Sequence, residues 1–189
     1  AVNLLLDKNV AVRRVDQPAD GSIRAGDFVV ANAPDAVVQD VARQTGVDFS
    51  ALAVDPARGS RDLKRQRIGM YQRYYGGNMD EGWTRFVLEQ WGFPYKSLFD
   101  AEIKAGNLAA RYDVIILPDD NVRMITGERA PGGAGGGGFG GPGQDPPPEY
   151  RSGIGNEGVE ALKQFVLNGG TLLTFGEAGA DRAAFTSDL

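Results

Sequence analysis

The segment "YDVIILPDD", Tyr112 to Asp120, sets four consecutive aliphatic residues, Val114 to Leu117, between an Asp and a Pro. A short apolar run without alternation is the pattern of a strand buried on both faces, and such strands belong to parallel sheets covered by helices. The flanking segments repeat the theme. "RIGMYQ" is a short apolar strand, and "NMDEGWTRFVLEQWG" is a helix capped by Asn78, with Glu81 placed as in a capping box and Gly92 as its stop. Met79, Trp83, Phe86, Val87 and Trp91 recur at helical spacing and are expected to pack on the sheet. "YKSLFD" is the next strand, and Asp100 is expected to cap a helix over "AEIKAGNLAARY". A last helix, Asn156 to Leu167, turns Val159, Leu162, Phe165 and Val166 inward ahead of the strand Thr171 to Phe175.

Alternation of strand and helix predicts an α/β fold, a three-layer α/β/α sandwich of flavodoxin-like type with a mostly parallel sheet. It occupies residues 61–189. Residues 1–60 read as a smaller helix, hairpin and helix appendage that packs on the main domain. Here Ala1 to Lys8 end a helix, Val10 to Val15 and Asp27 to Asn32 form the hairpin, and Val37, Val38 and Val41 line a helix that starts near Pro34 and stops at Gly46. Asp55 to Arg67 carries five basic residues against two Asp and is expected to be a solvated connector. The chain begins and ends as if cut from a longer protein, truncated at its C-terminus.

Between Gly127 and Pro148 stand 10 of the 27 glycines and 5 of the 10 prolines. Such a composition buries too little apolar surface to offset its ordering entropy, so a flexible loop is expected at 127–148. Glycine-rich phosphate loops hold a fixed spacing between strand and helix and usually a Lys-Ser/Thr pair. This segment has irregular spacing and no Lys, which argues against a nucleotide site.

Chemistry is limited by two absences. With no His and no Cys, the chain has no imidazole base, no thiol nucleophile, and neither His nor thiolate ligands for zinc. A formal net charge of -5 argues against nucleic acid as a partner. No apolar run is long enough to span a membrane.

In open parallel sheets ligands sit outside the carboxyl ends of the strands. Those positions hold Gln72, Arg73, Tyr74 and Tyr75 after the first main strand, Asp119 and Asp120 after "VIILP", and Glu177 after "TLLTF". Gln72, Tyr74, Asp119, Asp120 and Glu177 are the candidate ligand-binding residues, with no catalytic residue and no metal ligand assigned. Three carboxylates leave open acid-base chemistry or an oxygen-ligand cation site. "NGGTLLTFGEAG" has the outline of a strand and tight turn that elsewhere presents a nucleophile, with Glu177 where the nucleophile would stand.

The stretches "RIGMYQRYYGGNMDEGWTRFVLEQWGFPYKSLFDAEIKAGNLAARYDVIILPD" and "PPPEYRSGIGNEGVEALKQFVLNGGTLLTFGEAG" resemble the C-terminal region of large bacterial secreted zinc carboxypeptidases of the carboxypeptidase A-like clan. In that family a peptidase domain is followed by a domain similar to class I glutamine amidotransferases. The resemblance extends over most of Gln66 to Gly179 and rests on "MDEGWTR", "DVIILPD" and the "GIG" to "GGTLL" element.

The resemblance implies an extracytoplasmic, non-catalytic accessory domain without a cofactor of its own. Zinc is expected in a peptidase domain of the same parent chain, which would be its partner, and a peptide or cell-envelope ligand is a further possibility. The family's zinc motif, His-x-x-Glu with a distant His, has no counterpart here. The amidotransferase Gly-x-Cys-x-Gly turn corresponds to Gly176-Glu177-Ala178-Gly179, without its thiol. The alternative from another class is an independent amidotransferase-like hydrolase, or a ligand- or cation-binding module, using carboxylates at the strand ends.

Overall fold

The structure is a computed structural model that describes residues 1–18, 23–53, 55, 59–74, 77–128 and 152–179. The chain divides into two compact units, Ala1–Arg65 and Gln66–Leu189.

In the first unit α1 (Val2–Asp7) leads into β1 (Ala11–Val15), which pairs antiparallel with β2 (Phe28–Ala31), as the hairpin pattern predicts. Helix α2 (Asp35–Thr45) starts after Pro34 and ends at Gly46 in the left-handed conformation. Leu5, Val10, Val12 and Val41 form the unit's larger buried cluster. The expected connector needs correction: Ser60–Asp62 forms β3, which pairs antiparallel with β1 to complete a three-stranded sheet. A strand of three residues, two of them charged and exposed, carries no periodic signal, and its pairing comes from the free edge of β1.

In the second unit four strands, β4 (Ile68–Tyr71), β5 (Tyr95–Leu98), β6 (Val114–Leu117) and β7 (Thr171–Thr174), form a parallel sheet in the order β5-β4-β6-β7. All four residues of β4 are buried, and Ile115, Ile116 and Leu117 of β6 are buried too. The apolar run at Val114 therefore lies where its composition requires, in a central strand. Tyr71, Leu98, Ile115 and Leu117 face the helices α4 (Asp100–Lys104), α5 (Leu108–Arg111), α6 (Val122–Thr126) and α7 (Gly155–Leu167), through Ile103, Leu108, Ile125, Leu162 and Phe165. Ile68, Met70 and Ile116 project oppositely and meet Leu88 of α3 (Met79–Gln90). This is a mixed α/β unit with apolar packing on both faces of a parallel sheet.

Three local expectations change. The helix expected after Asp100 breaks into α4 and α5 at Gly106 and Asn107, both with positive φ. Asp100 is the first residue of α4, and its carboxylate turns to Tyr71, Ser152 and Gly153. Helix α6 was not foreseen, although Asn121 caps it through Arg123 N and Gly127 ends it in the left-handed region.

The third change concerns α3. Asn78 caps it as expected, its Oδ1 accepting from Asp80 N at 2.9 Å and Glu81 N at 3.3 Å. Its inward side, however, is Glu81 and Leu88, with the Glu81 carboxylate paired to Arg85. The apolar stripe faces outward, Trp83 being 67% and Trp91 70% exposed. Periodicity identifies residues that share a face but not what lies opposite them. The sheet face beneath α3 needs only Leu88 from this helix.

Of the glycine- and proline-rich segment, only Gly127 and Glu128 lie among the described residues. The chain on its two sides meets closely: Ile154 N donates to Ile125 O at 2.8 Å. A Cβ on Gly153, whose φ is +136°, would stand 2.4 Å from Gly127 Cα. Both glycines are needed for that approach.

Candidate functional site

The carboxyl ends of β4, β6 and β7 bring Asp119, Asp120 and Glu177 into one hydrogen-bonded group. Asp119 Oδ1 accepts from Glu177 N at 2.8 Å, which fastens the 3-10 turn Gly176–Gly179 to the end of β6. Gly176 makes this possible, because its φ is +50° and a Cβ there would lie 2.1 Å from Asp119 Cγ. Asn121 bridges the other two carboxylates, its N–H donating to Asp120 Oδ1 at 2.9 Å and its Nδ2 to Glu177 Oε2 at 3.3 Å.

Asp120 is largely enclosed, and Glu177 is exposed. Arg73 Nε lies 3.1 Å from its Oδ2, and the side chains of the pair are only 9% and 12% exposed. Asn78 Nδ2 joins the group, donating to Asp119 O at 3.0 Å and Asp120 Oδ2 at 3.3 Å. Burial pushes the Asp120 carboxyl above its ordinary range, while Arg73, Asn121 N–H and Asn78 pull the other way. Among the described residues no group of three or more carboxylates converges as a metal site.

A second network adjoins the end of β4. Tyr71, buried, donates to Asp100, whose other oxygen accepts from Ser152 and Gly153. Burial, then the Asp100 charge and hydrogen bond, hold the Tyr71 phenol far above its ordinary range, so it is a donor and not a base. Tyr74 N donates to Ser152 Oγ at 3.3 Å, and the Tyr74 side chain is 63% exposed. Gln72 takes part through its backbone, donating to Leu98 O at 2.9 Å as β4 ends. Tyr75 lies outside the described residues.

The structure thus gathers Asp119, Asp120 and Glu177, while Gln72 N bonds to Leu98 O and Tyr74 N to Ser152 Oγ. Sequence reasoning missed Asn78 and Asn121 as bridges and the burial of Arg73. The available signal was position: all three stand within four residues of a strand end or at a helix cap, the stations that parallel sheets reserve for ligands.

The turn after β7 also answers the question its sequence raises. The residue with positive φ is Gly176, and Glu177 adopts ordinary backbone in a 3-10 turn. The strained conformation that thrusts a nucleophile forward is absent at Glu177. Compared with known proteins, the chain matches no family model and has no significant match among curated proteins or solved structures. No helix among the described residues is long and apolar enough to cross a membrane.

Proposed function

We propose that this chain is a non-catalytic accessory domain of an extracytoplasmic zinc carboxypeptidase-like protein, and that it works by packing against the peptidase domain of the same parent. The observation that carries this reading is the outward apolar face of α3. Met79, Trp83, Phe86 and Val87 are each more than half exposed on one side of the helix, with the Trp83 and Phe86 rings edge to face at 6.2 Å. Contiguous exposed aromatic surface of this kind marks contact sites, and burying one such side chain is worth about 1.5–3 kcal/mol.

The strand ends support the same reading from the other side. Asp119 caps a turn, Asp120 balances Arg73, and no His or Cys exists to activate a nucleophile. Zinc, where the parent binds it, would be held by the peptidase domain. The flavodoxin-like, amidotransferase-like architecture belongs to the same proposal. It is supported by the strand order, which in the unit's own numbering runs 2-1-3-4, the opening of the flavodoxin order 2-1-3-4-5.

The test is an association assay between this chain and that peptidase domain, followed by tryptophan emission and calorimetry. Binding with a blue-shifted emission is expected, and its calorimetric signal should be lost in Trp83→Ser/Trp91→Ser, which removes both tryptophans of the chain. Absence of binding, undiminished binding by the double variant, or turnover of peptide, ester or glutamine substrates by the chain alone would overturn the proposal.

A further inference from the structure

The helix layer that covers Tyr71, Leu98, Ile115 and Leu117 is not closed everywhere. Between the turn that joins α4 to α5 and one side of α7 lies a cavity of about 320 Å³, at the lower end of the roughly 300–1,000 Å³ that ligand pockets span. Its origin is local. Gly106 and Asn107, at φ +69° and +50°, end one short helix and start the next. The lining side chains Ala109 and Ala161 are too small to fill the gap that remains, and buried Leu108 and Phe165 give it an apolar base. Glu157, Ala161, Gln164 and Asn168 recur at helical spacing, so the cavity follows α7 as a groove, about 16 Å long at 1.5 Å per residue.

The chemistry of the lining selects the occupant. Its charged side chains are Glu157 and Glu160, and among the described residues no Lys or Arg lines it. Arg111, on α5, is turned instead to Glu102 and to the Gly106 carbonyl. An anion would therefore meet repulsion, and a cation would meet two carboxylates on one side of α7. The apolar base adds a second requirement, because only an apolar surface covers Leu108, Ala161 and Phe165 without losing hydrogen bonds to water. Basic side chains satisfy both, laying a methylene stem on apolar surface while the charged head stays at the rim. Asn107, Gln164 and Asn168 place amide groups along the same groove. Amides donate and accept, as a peptide backbone does, whereas a protonated free polyamine can only donate.

We infer that the groove between α5 and α7 binds a basic side chain presented by a peptide. The ammonium or guanidinium pairs with Glu157 and Glu160, the stem lies on Leu108, Ala161 and Phe165, and the peptide backbone runs past Asn107 and Asn168. Because α7 packs on one face of the sheet and α3 on the other, this site is separate from the aromatic face of α3, and each stands or falls alone.

The test is a two-dimensional nitrogen-proton NMR titration of the whole chain with the tripeptides Ala-Lys-Ala and Ala-Arg-Ala, blocked at both ends. At least one should give saturable shifts at the amides of Leu108, Ala109, Ala161 and Gln164. The blocked norleucine tripeptide, which keeps the stem and lacks the charge, should bind about tenfold more weakly, since each exposed ion pair contributes up to about fivefold. Glu157→Gln/Glu160→Gln, a double substitution at exposed positions that leaves the remaining amide pattern in place, should weaken the basic peptide by a similar factor. The free diamine cadaverine should bind more weakly than the better tripeptide. No saturable response to either basic peptide would overturn the inference. So would equal affinity for the norleucine peptide, unchanged affinity in the double variant, or binding of cadaverine as tight as that of the peptides, which would make this a site for free amines.

Discussion

Tyr71 donates its phenolic hydrogen to Asp100 Oδ1 across 2.7 Å, and the other oxygen of that carboxylate accepts from Ser152 Oγ at 3.0 Å and Gly153 N at 2.8 Å. One carboxylate therefore joins the end of a central strand to the segment that enters α7. Because the folded state raises the phenol's pKa, it binds more protons than the unfolded chain in alkaline solution. Stability is then fully present below the ordinary tyrosine value of about 10 and falls as pH rises through and beyond it, by about 1.4 kcal/mol per pH unit. Urea unfolding from about pH 8 to about pH 11 should follow that decline. In Tyr71→Phe the slope should flatten, with about 1–3 kcal/mol lost at neutral pH.

Gly176→Ala should destabilise the second unit by about 1–3 kcal/mol, read as a lower thermal midpoint. The new methyl would meet the Asp119 carboxylate at 2.1 Å and sit on a left-handed backbone. Asp119→Ala in the same background should recover part of the loss, since it removes the clashing group. Additive losses would mean that the two residues do not share the constraint.

Asn78→Ala removes the cap of α3 and the tether to Asp119 O in one change. A loss of about 1–2 kcal/mol is expected, together with faster hydrogen exchange at Asp80, Glu81 and Gly82. Exchange unchanged in that turn would contradict the capping role.

Trp83→Ser should behave oppositely to a core substitution. With most of the side chain in solvent, the stability of the chain should stay within about 0.5 kcal/mol of the parent value. A loss of several kcal/mol in denaturant unfolding would place the residue in the core and remove the basis for a contact role.

Much of the second unit was legible because its signals are local. The cap at Asn78, the stop at Gly92 and the inward set of α7 are consequences of helix ends and helical spacing. The positions of Asp119, Asp120 and Glu177 at strand ends were legible for the same reason. Helix α6 was overlooked although its cap and stop were both present, because five residues are too few to display a period. Strand β3 had no such cues, being charged and short.

By itself, then, the sequence determined the identity and limits of most elements, the parallel character of the sheet, and the absence of imidazole and thiol chemistry. Only the tertiary structure decided which side of α3 faces water, that Arg73 is buried beside Asp120, and that Asp119 serves the turn bearing Glu177. The reason is physical. Dihedral preferences, caps and periodicity act over a few residues and are written in neighbouring letters. Burial of a charge, or exposure of an aromatic stripe, depends on groups that the fold brings from far along the chain.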